Sequence, residues 1–285
     1  MSGLEIRPAG AAEFAAAVEW AAREGWNPGL DDLAAFHAAD PGGFLMGFVD
    51  GEPVSSISVV RYGDDFGFLG FYIVHPDRRG TGIGMETWNA GMARLQGRTV
   101  GLDGVVAQQD NYRRSGFEPA GRNIRHAGVP DRAVPETVCA IRPATPGDME
   151  RLAAYDRAHF PADRAGFLRG WTLPGSGARR MALVAAAGGA VFGYGTIREC
   201  RSGWKIGPLF ADARDVAEAL FAALVATTPA GAEVSLDTPQ DNAQAVEMAL
   251  RAGLEPVFET ARMYRGPAPR LPLDRIYGVT TFELG

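Results

Sequence analysis

The sequence predicts an α/β fold, two tandem domains with mixed sheets, and three observations carry that reading. An apolar run rich in aromatic and β-branched residues, Phe66–Val74, passes through His75-Pro-Asp-Arg-Arg-Gly-Thr-Gly-Ile-Gly84 into a helical pattern. Short strand-like runs alternate with amphipathic stretches along the chain. Segments of the first half also return in the second. Ile6-Arg-Pro-Ala9 recurs as Ile141-Arg-Pro-Ala144, and Arg114-Ser-Gly-Phe-Glu-Pro119 as Arg251-Ala-Gly-Leu-Glu-Pro256, at offsets of 135 and 137 residues. A shared offset of this size means a duplicated domain. The proline-punctuated stretch Gly128–Pro135 sets the boundary, giving domains 1–130 and 136–285.

Leu4–Pro8 reads as a short strand and Ala11–Glu24 as a helix with Phe14, Val18, Ala21 and Ala22 on one face. Gly25-Trp-Asn-Pro-Gly29 stops that helix, and a second follows from Asp31 to Ala39. Phe44–Val49 and Val54–Tyr62, joined at Asp50-Gly51, read as a hairpin. After Phe66–Val74, Pro76 ends the ladder, and Met85, Trp88, Met92 and Leu95 recur at helical steps. Thr99–Val106 is a strand, Gln109–Ser115 a short helix and Phe117–Arg125 another strand. The tail Ile276–Leu284 reads as one last strand.

The 285 residues suffice for two cores, and a net charge of −6 argues against nucleic acid or anionic membrane as a partner. No apolar run reaches the ~20 residues of a membrane span and no charged-then-apolar leader opens the chain, so a cytoplasmic protein is expected. Cys139 and Cys200 are isolated, and four scattered histidines give no metal spacing.

The strand, glycine loop and helix start form an anion cradle in principle. The first amides of a helix lack intrahelical partners, and glycines admit an anion close to the backbone. No Gly-Lys-Ser/Thr ending is present for a P-loop, and Gly80, Gly82 and Gly84 alternate rather than following a GxGxxG turn. Val74-x-Pro76 followed by Arg79-x-x-Gly82-x-Gly84 resembles the coenzyme A loop of the GNAT superfamily of acyl-CoA-dependent N-acyltransferases. The resemblance implies a central, mostly antiparallel twisted sheet flanked by helices in each domain. It implies acetyl-CoA as acyl donor, bound by Ile73, Val74, Arg79, Gly80, Thr81, Gly82, Ile83 and Gly84, and no metal.

Tyr112-Arg-Arg-Ser-Gly116-Phe117 matches the family's Tyr-x-x-x-Gly-Phe pattern, which makes Tyr112 the general acid for the departing thiolate. Asn111 either bonds the coenzyme's pantetheine arm or caps. A bulge near Ile73 and Val74 would let a main-chain amide polarise the thioester carbonyl. Phe68 stands where many members carry a glutamate, so the base is unassigned among Asp64, Asp65, Asp103 and His75. The acceptor, a small-molecule amine, would meet the first two helices and their loop, with Trp26, Asn27 and His37 as candidates. Arg113, Arg114, Arg122 and Arg125 read as a solvated face or as partners of the 3′-phosphate.

In the second copy, Ala211–Ala217 replaces the glycine loop, Asp212 and Asp215 would repel a pyrophosphate, and Ala249 falls at the tyrosine position. A C-terminal domain without a coenzyme site is therefore expected. An acyl-CoA-binding regulator and a protein N-acetyltransferase are the alternatives, and the chain is a monomer or homodimer.

Overall fold

The structure, a computed structural model, describes residues 3–131 and 137–285. Residues 132–135 of the expected boundary lie outside that range. The first half runs β1 (Glu5–Pro8), α1 (Ala11–Arg23), α2 (Asp32–Ala39), β2 (Phe44–Val49), β3 (Glu52–Tyr62), β4 (Phe66–Val74), α3 (Ile83–Arg94), β5 (Thr99–Val105), α4 (Gln109–Arg114) and β6 (Glu118–Gly128). The second repeats the order as β7 (Ala140–Pro143), α5 (Met149–His159), α6 (Ala165–Thr172), β8 (Arg180–Ala187), β9 (Ala190–Glu199), β10 (Trp204–Ala211), α7 (Arg214–Ala226), β11 (Val234–Pro239), α8 (Ala243–Arg251) and β12 (Glu255–Arg265). A short β13 (Ile276–Gly278) follows.

Both repeated motifs have local structural causes. Arg7 grips Glu13, whose Oε2 also accepts the Gly10 N–H at the start of α1. Arg142 grips Asp148 in the same way, and Asp148 accepts from the Thr145 amide at 2.9 Å. Each Ile-Arg-Pro-Ala segment thus ties a first strand to the turn that opens the first helix of its copy. Gly116 and Gly253, at φ 85° and 82°, end α4 and α8 in the left-handed conformation that glycine adopts most readily.

The two halves share one mixed sheet, in the order β1-β2-β3-β4-β5-β12-β6-β11-β10-β9-β8-β7. Its pairs are antiparallel except β4 with β5 and β10 with β11. Each copy inserts its last long strand into the other. β12 lies between β5 and β6, while β6 lies between β12 and β11. In the β6–β12 ladder Asn123 faces Thr260, its own counterpart at the repeat offset, so a pseudo-twofold axis passes through this pair.

A buried Arg–Asp pair pins each exchanged strand. Arg262 on β12 sits opposite Asp103 on β5 and donates through Nε (3.0 Å) and Nη2 (2.7 Å). Arg125 on β6 sits opposite Asp237 on β11 and donates at 2.6 and 2.8 Å. Burial opposes ionisation of Asp237, but Arg125 outweighs it and holds the carboxyl below its ordinary value. Arg125 therefore belongs to the interior, not to the solvated face its sequence context suggests.

The core also crosses the copies. Phe14, Phe44 and Phe71 pack edge to face, and Phe36 on α2 stacks on Trp171 of α6 at 5.7 Å. Arg180 and Arg198 lie over the Trp171 ring and share Asp32 on α2. The tail departs from the single strand expected over Ile276–Leu284. Only Ile276–Gly278 pairs, with β10. Beyond it Leu284 and Gly285 donate back to Thr281 in a turn, and Tyr62 donates to the Leu284 carbonyl at 3.1 Å. The chain leaves the ladder because it must cross from the second copy to the first.

Replacing Asp237 by Ala leaves Arg125 buried without its counter-charge and should cost about 3–5 kcal/mol of stability. Urea unfolding of the full chain measures this, and a loss under about 1 kcal/mol would contradict the pinning role.

Candidate active site

β4 and β5 pair only from Phe66–Leu69 to Thr99–Leu102 and then part. On its other edge β4 bulges. Between Gly70↔Ser58 and Ile73↔Ser56, Phe71 and Tyr72 stand opposite the single residue Ile57. Phe71 takes φ 46°, rare for a bulky residue, and its carbonyl accepts from Ser56 Oγ at 2.8 Å. The bulge therefore lies just before the expected Ile73–Val74. The parted strands flank a cavity of about 530 Å³, which Ile73, Val74, Arg79 and Tyr112 all line.

The glycine loop meets the cavity through Arg79, while Gly80, Thr81, Gly82, Ile83 and Gly84 lie outside its lining. Arg79 donates through Nε to the Val74 carbonyl (3.1 Å) and through Nη2 to Glu24 (2.5 Å), fixing the loop against both β4 and α1. Gly80 and Gly82 have φ 77° and 90°, and Gly82 caps the N-terminus of α3. Thr81 Oγ1 donates to the Arg78 carbonyl, and Ile83 packs with Val49 and Val54. A Cβ on Gly84 would stand 3.0 Å from the Tyr72 hydroxyl, so that glycine lets α3 approach β4. The Met85 and Glu86 amides already donate to the Gly82 carbonyl, which leaves those of Ile83 and Gly84 as the first amides of α3 without an intrahelical acceptor.

Tyr112 is held by its ring. It stacks on Trp88 at 5.8 Å and meets Phe117 edge-on, above Gly104, where a Cβ would come within 2.8 Å of the ring. Burial, aided by nearby Tyr72, pushes its hydroxyl up to about 12. The phenol is thus protonated throughout the neutral range and can only donate there. Asn111 lies on the exposed side of α4, bonded to Gln108 and Arg114, and does not line the cavity.

The opposite wall comes largely from the second copy: Phe258 and Thr260 of β12, and Phe282 and Glu283 of the tail. None of these four was singled out from sequence. The repeat was the available signal, but it does not reveal that the last strands exchange. Trp26 lines the cavity, and its carbonyl accepts from Arg125 at 3.0 Å. Asn27 instead clamps the copies together, exchanging two hydrogen bonds with Ser202 at 2.8 and 2.9 Å. His37 stacks on Phe44 at 5.6 Å, outside the cavity.

Of the four base candidates, Asp64 and Asp65 lie in an exposed turn, and His75 stands edge-on to Trp20 with Asp77 beside its ring. Asp103 lines the cavity but is occupied by Arg262 and by Asn123 Nδ2 at 2.7 Å. Burial pushes its carboxyl up, against the pull of Arg262.

The second copy repeats the split and ends differently. β10 and β11 pair over Trp204–Ile206 and Val234–Leu236, then part at a bulge of Gly207 and Pro208 opposite Thr196. β13 fills the gap, pairing Gly278 with Leu209 and Ile276 with Phe210, while the Val279 amide donates to the Asp237 carbonyl on β11. At the start of α7, Asp212 accepts from the Tyr155 hydroxyl at 2.8 Å and lies 3.5 Å from Arg275. Ala249 is buried on α8. Among the described residues no group of three or more His, Cys, Asp or Glu is placed to hold a metal, and no helix is long and apolar enough to cross a membrane.

Residues 12–117 match the acetyltransferase (GNAT) family and residues 152–278 an acetyltransferase (GNAT) domain. A holothin acyltransferase of Pseudoalteromonas sp. (strain SANK 73390) is 33% identical over 279 residues, covering 98% of this chain and 94% of the relative. A putative acetyltransferase from Pyrococcus horikoshii superposes with a TM-score of 0.82 at 22% identity, over 100% of this chain and 97% of the other. A tandem GNAT protein from the clavulanic acid biosynthesis pathway gives 0.65 at 16% identity, over 94% of this chain and all of the other.

Gly104→Val should force the Tyr112 ring off Trp88 and cost about 1–3 kcal/mol, the usual range for overpacking. Denaturant unfolding with an NMR check of the Tyr112–Trp88 contact tests this, and unchanged stability with the contact intact would contradict it.

Proposed function

The chain belongs to the GNAT superfamily of acyl-CoA-dependent N-acyltransferases, and from that premise we propose that its first domain moves an acetyl group from acetyl-CoA to the primary amine of a small molecule. The observation that carries this reading is the gap between β4 and β5. It is open, lies beside the glycine loop, and has Tyr112 in its wall. The pantetheine arm would lie along Ile73 and Val74, where β4 has lost its β5 partner. The pyrophosphate would meet the Gly80–Gly84 amides and Arg79, on the positive end of α3.

The amine attacks the thioester carbonyl directly, and Tyr112 gives the departing thiolate its proton. A phenol held near 12 keeps that proton until a strong base forms beside it, which a thiolate in a buried site is. Trp26, Phe258 and Phe282 line the same cavity, and bulky aromatic rings in its wall favour a small molecule over a protein chain. The name of the holothin acyltransferase relative favours the same class. The second copy would carry no coenzyme, because β13 occupies the gap in which a pantetheine would lie and Asp212 stands at the helix start.

The test combines calorimetric titration with acetyl-CoA and a thiol-release screen of holothin and a panel of primary amines. One acetyl-CoA should bind per chain. Tyr112→Phe should keep that binding and lower kcat by about a hundredfold or more, the range of general acids. Absence of binding would overturn the reading, and an unchanged kcat would remove Tyr112 from the mechanism.

A further inference from the structure

The cavity between β4 and β5 is lined by three carboxylates: Glu24, Asp103 and Glu283. Glu24 holds Arg79, and Asp103 holds Arg262 and Asn123. Glu283 differs. It is 5% exposed, and among the described residues its carboxylate accepts no hydrogen bond and forms no ion pair. The cations around it are committed elsewhere: Arg125 of β6 to Asp237 and the Trp26 carbonyl, Lys205 of β10 to the Asn27 carbonyl at 2.8 Å, and Arg198 of β9 to Asp32 of α2. A buried carboxylate left without a donor on a cavity wall is costly to keep and calls for an occupant that supplies one.

Its place is fixed by the backbone. The Glu283 carbonyl comes within 2.2 Å of where a Cβ on Gly70 would stand, at the start of the β4 bulge, so only glycine there admits the tail. Arg164, fully buried, donates to Asp156, to Thr280 Oγ1 (2.9 Å) and to the Gly285 carbonyl (3.2 Å), holding the tail on both sides of Glu283.

We infer that Glu283, carried by the tail of the second copy into the cavity of the first, accepts the proton that the incoming ammonium must lose. This rests on the acyl transfer proposed above. An ammonium R–NH₃⁺ gives one proton to the Glu283 carboxylate, and the freed lone pair forms the C–N bond at the thioester carbon. The C–S bond breaks, the thiolate takes the Tyr112 proton, and the second proton on nitrogen returns to the phenolate. Glu283 then releases its proton to solvent. The same carboxylate would first hold the ammonium, so the preferred acceptor is an amine that arrives protonated.

Burial pushes the Glu283 carboxyl above its ordinary value, against the pull of Lys205, Arg125 and Arg198 and with a small push from Asp32. A carboxyl whose pKa is raised by folding favours the native state only while protonated. Its ionisation therefore lowers stability as pH rises from the ordinary glutamate range through the folded value. Glu283→Gln removes that burden, whereas loss of a needed counter-charge would do the reverse.

The experiment compares the full-length wild type with Glu283→Gln, using the amine turned over fastest in the thiol-release screen. At neutral pH kcat/KM should fall by about a hundredfold or more, while acetyl-CoA affinity stays within about threefold. The melting temperature at pH 8 should be equal or higher. The deficit should shrink as pH rises towards ~10, where a growing share of a primary amine of pKa ~10.4 is itself neutral, and the acid limb of the wild-type profile should vanish. Glu283→Asp should keep that limb. An unchanged rate and pH profile would overturn the assignment while leaving acyl transfer standing. So would a lower melting temperature with acetyl-CoA affinity lost in step, which would make Glu283 a counter-charge. A wild type inactive toward every amine screened would remove the acyl-transfer reading itself.

Discussion

Two buried Arg–Asp pairs, Arg262 with Asp103 and Arg125 with Asp237, hold the molecule in its form. Each spans two strands that come from different copies and sit directly opposite each other in the ladder. Swapping a strand is inexpensive in hydrogen bonds, because an edge strand pairs as well with a copy as with its own sheet. What makes the exchange specific is a charge that is stable only beside its partner, since either member alone would be buried and uncompensated. With the exchange fixed, β12 supplies Phe258 and Thr260 to the first copy's cavity. The candidate site is thus composite, and neither half contains all of it.

The same local device serves opposite ends in the two copies. Both central strands bulge at equivalent positions, Phe71-Tyr72 and Gly207-Pro208, and both part from their parallel neighbours just beyond. In the first copy the parting leaves a cavity. In the second, Ile276–Gly278 fills it, and Gly207 is pressed by the Val279 and Thr280 carbonyls at distances no side chain would permit. The tail then turns across to Gly70, at the start of the first copy's bulge. A single ten-residue segment therefore closes one gap and walls the other.

Most of the first half was legible because its signals are local. Phe66–Val74 is a strand with the bounds its apolar run suggests, and Pro76 and the glycines mark its end as steric rules require. Both repeated motifs proved structural, the Ile-Arg-Pro-Ala segments through Arg7 and Arg142, and the Arg-x-Gly segments through Gly116 and Gly253. What escaped was non-local. Arg125 reads as a surface residue because an arginine's burial depends on a carboxylate 112 positions away. Nothing within β6 or β12 tells which copy each will pair with, as either register buries the same faces. The tail's apolar alternation suggests a full strand, but the crossing at Gly278 is set by the second gap. Glu283, Phe258 and Phe282 could be placed only once those two facts were known.

On the proposed function, one gap receives coenzyme and the other is filled by the chain itself. Amide hydrogen exchange on the intact protein, with and without acetyl-CoA, tests it most directly. Binding should slow exchange at Leu69–Val74 and Arg79–Met85 and leave Leu209–Val216 unchanged. Comparable slowing at Leu209–Val216 would contradict it, since coenzyme would then have displaced β13 from a site the second copy still possesses.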